Sequence, residues 1–220
     1  KIGIVSIGLA NPGKPIDQTT IAGCMQKANE LDELESRKLK FLYKTSGIAR
    51  RYSVLSDFEK CDPKDYTFFP KSKDFEPFPG TKARMEVFRQ TAPQLCEDAV
   101  TDCLSKTAVE PSEITHLILV SCTGMMAPGV ELDLMQRLAL DDSVERYCVH
   151  FMGCYAAFTG LKLEVRMEKQ KPDAKLFLWS MRFYTCTCRN NTLEVKIWYM
   201  YFFGMDAEAD LVVSTMDGLK

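Results

Sequence analysis

Apolar positions along the chain switch between a period near two and a period near 3.6, and the switches fall at Gly, Pro or Asp. Residues 2–9 are apolar-rich and run into Asn11-Pro12-Gly13, which predicts a buried strand and a turn. From 20 to 44 the positions Ile21, Met25, Ala28, Leu31, Leu34, Leu39 and Leu42 recur at helical spacing, enough for one or two helices. Residues 50–55 read as a short extended piece. Between 60 and 82 the prolines 63, 70, 77 and 79 interrupt any period, so this stretch is expected to be an irregular surface excursion rather than a linker. Met85, Phe88, Ala92, Leu95, Ala99 and Cys103 then mark a long helix over 84–105, closed by Glu110-Pro111-Ser112.

The next stretch is the most regular. It reads as strand 114–121, a Gly/Pro turn, helix 130–140, strand 145–151, helix 155–170, a turn at Lys171-Pro172-Asp173 and strand 175–181. Such alternation predicts an α/β fold with a parallel sheet covered by helices. Beyond 182 the period is lost until a strand expected at 209–215. No repeat or low-complexity segment interrupts the chain.

Composition narrows the class. The 220 residues are 46% apolar and 26% charged, as expected for a globular protein of one domain or of two closely packed halves. A net charge of −2 gives no global attraction for nucleic acid or for an anionic membrane, so an anionic ligand needs a local basic cluster. One exists: Arg37, Lys38, Lys40, Lys44, Arg50 and Arg51 fall within fifteen residues. It is either a solvated helix face or a phosphate-binding patch. The cysteines, at 24, 61, 96, 103, 122, 148, 154, 186 and 188, are odd in number and irregularly spaced, which suggests reduced thiols in a cytoplasmic protein. No targeting or membrane segment is found.

One junction carries a mechanical reading. In Val149-His150-Phe151-Met152-Gly153-Cys154-Tyr155-Ala156-Ala157-Phe158 a strand runs into a Gly-Cys pair and small residues open a helix. A sulfur at a helix N-terminus is favoured as thiolate, and the free N–H groups there can receive an oxyanion. Cys154 is then a thioester nucleophile. The alternative is a small residue filling a tight corner.

Gly153-Cys154-Tyr155-Ala156-Ala157-Phe158 resembles the nucleophile motif of type III polyketide synthases, the chalcone-synthase-like branch of the thiolase superfamily. Four further blocks agree in order: Gly8-Leu9-Ala10-Asn11-Pro12, the run from Thr45 to Leu55, Ile114-Thr115-His116-Leu117-Ile118, and the run from Ser121 to Gly129. The resemblance covers residues 2 to about 180 well and the last forty poorly. It implies an α/β, thiolase-like fold, with residues 1–220 as one N-terminal condensing-enzyme domain. That domain would hold a mixed, mostly parallel sheet covered by helices, and the C-terminal half would be absent.

The resemblance also implies an activity. A homodimer would load an acyl group from acyl-CoA onto Cys154 and extend it with malonyl-CoA by decarboxylative Claisen condensation, without a metal or a dissociable cofactor. The loop matching 122–129 would line the active site, with Cys122, Thr123 and Ala127 as substrate contacts, and Phe203 would correspond to an aromatic residue gating the cavity or else pack in a core. Coenzyme A phosphates would be met by Lys38 and, nearby, Lys44, while Phe41 and Thr45 stand at other contact positions.

Two departures matter. The family's triad includes a His and an Asn in the second half of the fold, and neither His116 nor His150 stands at that His position. His116 is expected to be a strand histidine with a polar partner. In the family's Phe-Gly-Asp-Gly-Ala block this chain has Phe203-Gly204-Met205-Asp206-Ala207-Glu208-Ala209-Asp210, with carboxylates where small apolar residues are expected. Cys186-x-Cys188 alone is a poor zinc signal. Two alternatives stand beside the synthase: an initiating β-ketoacyl-carrier-protein synthase, which shares the Cys elbow, and a non-catalytic half-fold that depends on a partner.

Overall fold

The computed structural model describes residues 4–60, 62–72, 75, 77–152, 155–170, 176–183 and 207–214, the last two ranges as backbone. In chain order the elements are β1 (Ile4–Ala10), β2 (Ile16–Asp17), α1 (Gln18–Ala28), α2 (Glu33–Thr45), β3 (Arg50–Arg51) and α3 (Thr81–Ser105). There follow β4 (His116–Ser121), α4 (Val130–Arg137), β5 (Glu145–His150), α5 (Ala156–Gln170), β6 (Leu176–Phe183) and β7 (Ala207–Ser214). They group into two compact units. One comprises Lys1–Asn11, Met85–Phe183 and Glu208–Lys220; the other comprises Pro12–Arg84 and Tyr184–Ala207.

The first unit is built on a five-stranded sheet of order β1-β7-β6-β4-β5. The sheet is mixed: β4 pairs parallel with both β5 and β6, and β1 pairs antiparallel with β7. Every residue of β4 is buried, which is why His-Leu-Ile-Leu-Val-Ser shows an apolar run and no alternation. Its Ile118 and Val120 meet Ala156, and Tyr147 and Val149 of β5 and Leu161, Leu163 and Met167 of α5 pack against this cluster. The helix α3 follows the spacing read from the sequence, with Phe88, Ala92, Leu95, Cys96, Ala99, Val100 and Cys103 all buried.

The contact of β1 with α3 is a backbone contact. A Cβ at Gly8 would overlap the Ala99 carbonyl oxygen and Cys103, so only glycine lets the strand approach this helix. Polar groups fix the same seam: Ser6 Oγ donates to the Cys103 carbonyl over 3.0 Å and Leu9 N–H donates to Asp102 Oδ2 over 2.8 Å. On the outer surface Arg137 reaches Glu97 at 2.7 Å and Gln94 at 3.0 Å, fastening α4 to α3. A partly exposed pair of this kind contributes about 0.2–1 kcal/mol.

In the second unit the apolar spacing between 20 and 44 resolves into two helices. Asp32 breaks the run because its carboxylate accepts the Glu35 N–H at 2.8 Å while Glu35 accepts the Asp32 N–H at 3.3 Å, a reciprocal N-cap. Such a cap is worth about 1 kcal/mol. The expected extended piece over 50–55 contracts to β3, two residues paired antiparallel with β2.

The proline-rich stretch has an interior of its own. Phe58, Tyr66, Phe69 and Phe75 are buried, and Phe69 stands 5.5 Å from Phe58, 4.7 Å from Phe75 and 5.7 Å from Phe78 between ring centroids. Proline hides this order from a periodicity reading, because the packing is carried by rings on irregular backbone. No helix among the described residues is long and apolar enough to cross a membrane.

Candidate active site

The parallel register brings two connections out of the same end of the sheet. Ser121 lies beside His150, so the loop 122–129 after β4 and the turn from 151 into α5 leave at one edge. Phe151 N–H donates to the Cys122 carbonyl over 2.9 Å and ties the two connections together. Ser121 Oγ, fully buried, donates to the Gly124 carbonyl over 2.7 Å and closes the first turn of the loop. A Cβ on Gly124 would fall inside the Phe88 ring, so the glycine sets how near the loop lies to α3. Further along, the Ala127–Pro128 peptide is cis.

The approach to the elbow is strained. Phe151 has φ +61°, in the left-handed region where a Cβ crowds the carbonyl at a cost of roughly 1–2 kcal/mol. Its side chain recovers little by burial, being 66% exposed with its ring centroid 6.2 Å from that of His150. Met152, Tyr155 and Phe158 are exposed as well, Phe158 by 60%. Lys162 Nζ donates to the Tyr155 hydroxyl over 2.5 Å and stands 5.1 Å from the ring centroid. Strain and exposed apolar side chains at one strand-to-helix turn are what a segment shows when it presents groups instead of packing them.

Of the residues singled out in the sequence, Cys154 and Phe203 lie outside the described residues, as do Cys186 and Cys188. Cys154 falls between the end of β5 and Ala156, the first residue of α5. Cys122 and Thr123 are half-buried at the start of the loop and Ala127 is exposed near its end, so these three follow β4 at the end of the sheet where Ser121 lies beside His150. Lys38 and Lys44 are exposed on α2, which belongs to the other unit, and Phe41 between them is exposed too.

The other described thiols are quiet or engaged. Burial pushes Cys96 and Cys103 above the ordinary thiol range, and Cys96 also donates to the Ala92 carbonyl. Cys148 is exposed on β5, yet partial desolvation, followed by the charge of Glu131 and a hydrogen bond to it, raises its pKa to about 11. Cys24 is disulfide-bonded, which corrects the expectation that all nine cysteines are reduced. Glu131 could not be found from the sequence, because its nearness to Cys148 is a tertiary contact between residues of different elements.

His116 is buried, with Nδ1 2.7 Å from Thr115 Oγ1 and Nε2 3.7 Å from Glu145, as expected of a strand histidine with polar partners. His150 ends β5, and its Nδ1 is buried with no hydrogen-bond partner among the described residues. Among the described residues no group of three His, Cys, Asp or Glu side chains could hold a metal ion.

Residues 1–194 match the family model of the N-terminal domain of chalcone and stilbene synthases. Among curated proteins the chain is similar to type III polyketide synthase A of Arabidopsis thaliana, 26% identical over 81% of this chain and 44% of that protein. It is equally similar to type III polyketide synthase C of the same plant, 26% identical over 81% of this chain and 45% of the relative. The chain therefore spans about half the length of these relatives. Among solved structures, PKS-I from the brown alga Ectocarpus siliculosus superposes with a TM-score of 0.82 at 23% identity, over 97% of this chain and 56% of that one. The C-terminal type III polyketide synthase domain of a Dictyostelium type I/III hybrid gives a TM-score of 0.78 at 21% identity, over 100% of this chain and 57% of the other.

Proposed function

Since the chain belongs to the chalcone and stilbene synthase family of type III polyketide synthases, by its N-terminal domain, we propose that it is an acyltransferase domain in which Cys154 carries the acyl group. The observation that supports this reading is the family match over residues 1–194, which contains Gly153-Cys154, located in sequence between β5 and α5.

In the proposed reaction the Cys154 thiolate attacks the carbonyl carbon of an acyl-CoA thioester. Backbone N–H groups at the start of α5 receive the oxyanion. The carbon–sulfur bond to coenzyme A breaks, and the departing thiolate takes a proton from solvent, leaving the acyl group on Cys154. Cys122, Thr123 and Ala127 would face the acyl chain, Phe203 would gate the cavity, and Lys38 and Lys44 would meet coenzyme A phosphates in a cytoplasmic homodimer. Extension with malonyl-CoA would draw on the family's His and Asn, in a part of the relatives that this chain does not match. The reaction so written uses CoA thioesters as substrates and no resident cofactor.

Incubation of the full chain with an acyl-CoA, followed by intact-mass and peptide mapping, should show one added acyl group on Cys154, absent in Cys154→Ala. Acylation spread evenly over the cysteines would contradict the proposal. A second reading, a half-fold that works only with a partner, is favoured by the exposure of Ile4, Ile7 and Leu9 on β1, Leu9 by 57%. It predicts association in light scattering, and a monomer loading Cys154 at full rate would refute it.

A further inference from the structure

In the second unit, Asp57 is buried to 1% exposure, and its partners among the described residues include no cation. Its carboxylate instead accepts four hydrogen bonds from one short stretch. Oδ1 takes the Thr67 N–H at 2.8 Å and the Thr67 hydroxyl at 2.7 Å. Oδ2 takes the N–H groups of Phe68 and Phe69, each at 2.8 Å. Three consecutive backbone N–H groups converging on one point make an anion-binding concavity. Here the anion is supplied by the chain itself, ten to twelve residues upstream.

We propose that Asp57 is the closing clasp of residues 56–69, an internal anion seated in a backbone nest, so that this segment opens as a local unit when the carboxylate is lost. Three observations support this. The four donors have no regular secondary structure to satisfy them otherwise, since 66–69 lie between 3-10 turns and coil. The rings that pack the segment, Phe58, Tyr66 and Phe69, are neighbours in sequence of the carboxylate or of its donors, so unfastening the clasp loosens the aromatic packing with it. The same hydrogen bonds outweigh the cost of burial and hold the carboxyl below its ordinary pKa, so the nest is matched to the charged form.

The test is hydrogen exchange by mass spectrometry on the full chain, comparing wild type with Asp57→Ala and Thr67→Val, with and without sodium acetate against sodium chloride of equal ionic strength. Asp57→Ala should exchange on the order of 10-fold faster or more within 56–69 while the strands of the first unit are unchanged. Acetate, which fits the vacated nest as a free carboxylate, should restore part of that protection, and chloride should not. Thr67→Val, which removes one donor of four, should show a smaller increase confined to the same segment, and it carries the test if Asp57→Ala does not fold. Unchanged exchange in 56–69 in these variants would overturn the proposal. So would acceleration spread evenly through both units without an effect of acetate.

Discussion

Two irregular segments of this molecule are built on opposite plans. Residues 56–69 turn their rings inward and satisfy four donors with one buried carboxylate. The turn after β5 holds a phenylalanine in left-handed backbone and leaves Phe151, Met152, Tyr155 and Phe158 exposed. The first plan minimises unsatisfied groups and fixes a shape. The second tolerates strain and exposed apolar surface, a combination that folding alone does not favour and that a reactive or docking segment requires. Irregular backbone is thus not one category here: its hydrogen-bond and burial balance separates a packed loop from an exposed one.

The largest way to break this contrast is to remove the clasp. Asp57→Ala leaves three N–H groups and a hydroxyl without their acceptor and should cost about 3 kcal/mol in urea unfolding, while the alkylation rate of Cys154 stays within a factor of about two. The acid limb should report the same group. The folded-state pKa of Asp57 is lowered, so its contribution is present above the unfolded-state pKa and disappears as pH falls through the folded value. Between about pH 5 and pH 2 the wild type should therefore lose more stability than Asp57→Ala.

Gly124→Ala should act in the other region. A methyl group inside the Phe88 ring must displace the ring or the loop, at about 2 kcal/mol, and acylation should fall along with thermal stability. Phe151→Gly should do the reverse for stability, raising it by about 1 kcal/mol because left-handed backbone suits glycine and the lost side chain was exposed. A loss of stability there would mean that the ring's contact with His150, 6.2 Å between centroids, outweighs the strain. The smallest effect is chemical: Glu131→Gln removes the negative charge that disfavours the Cys148 thiolate, so iodoacetamide should alkylate Cys148 about 3-fold faster or more at pH 8.

Much of the architecture was legible because it rests on periodicity. The strands at 116–121 and 145–150 and the helices α3 and α5 fall within a few residues of the boundaries read from apolar spacing and from Gly and Pro positions. The break between α1 and α2 was not resolved, since the apolar spacing runs on past Ala28 and the Asp32 cap is a local polar event. The packed excursion was missed for a related reason. Its order comes from ring contacts and from one carboxylate bonded to residues ten and more positions away, and no periodic pattern encodes either. At the candidate site the strand and the helix that flank Gly153-Cys154 could be read from the sequence. The left-handed Phe151 and the Glu131–Cys148 pair could not, because both are tertiary: Phe151 is tied to the Cys122 carbonyl, and Glu131 and Cys148 stand on different elements.

The proposed reaction needs Cys154, which precedes α5 in the chain, to be a thiolate near neutral pH. Peptide-resolved iodoacetamide alkylation as a function of pH tests it directly. Cys154 should react at pH 7 on the order of 10-fold faster than Cys148, with a midpoint below that of an ordinary thiol at about 8.5. Equal rates at the two residues, or a Cys154 midpoint at or above the ordinary value, would contradict it.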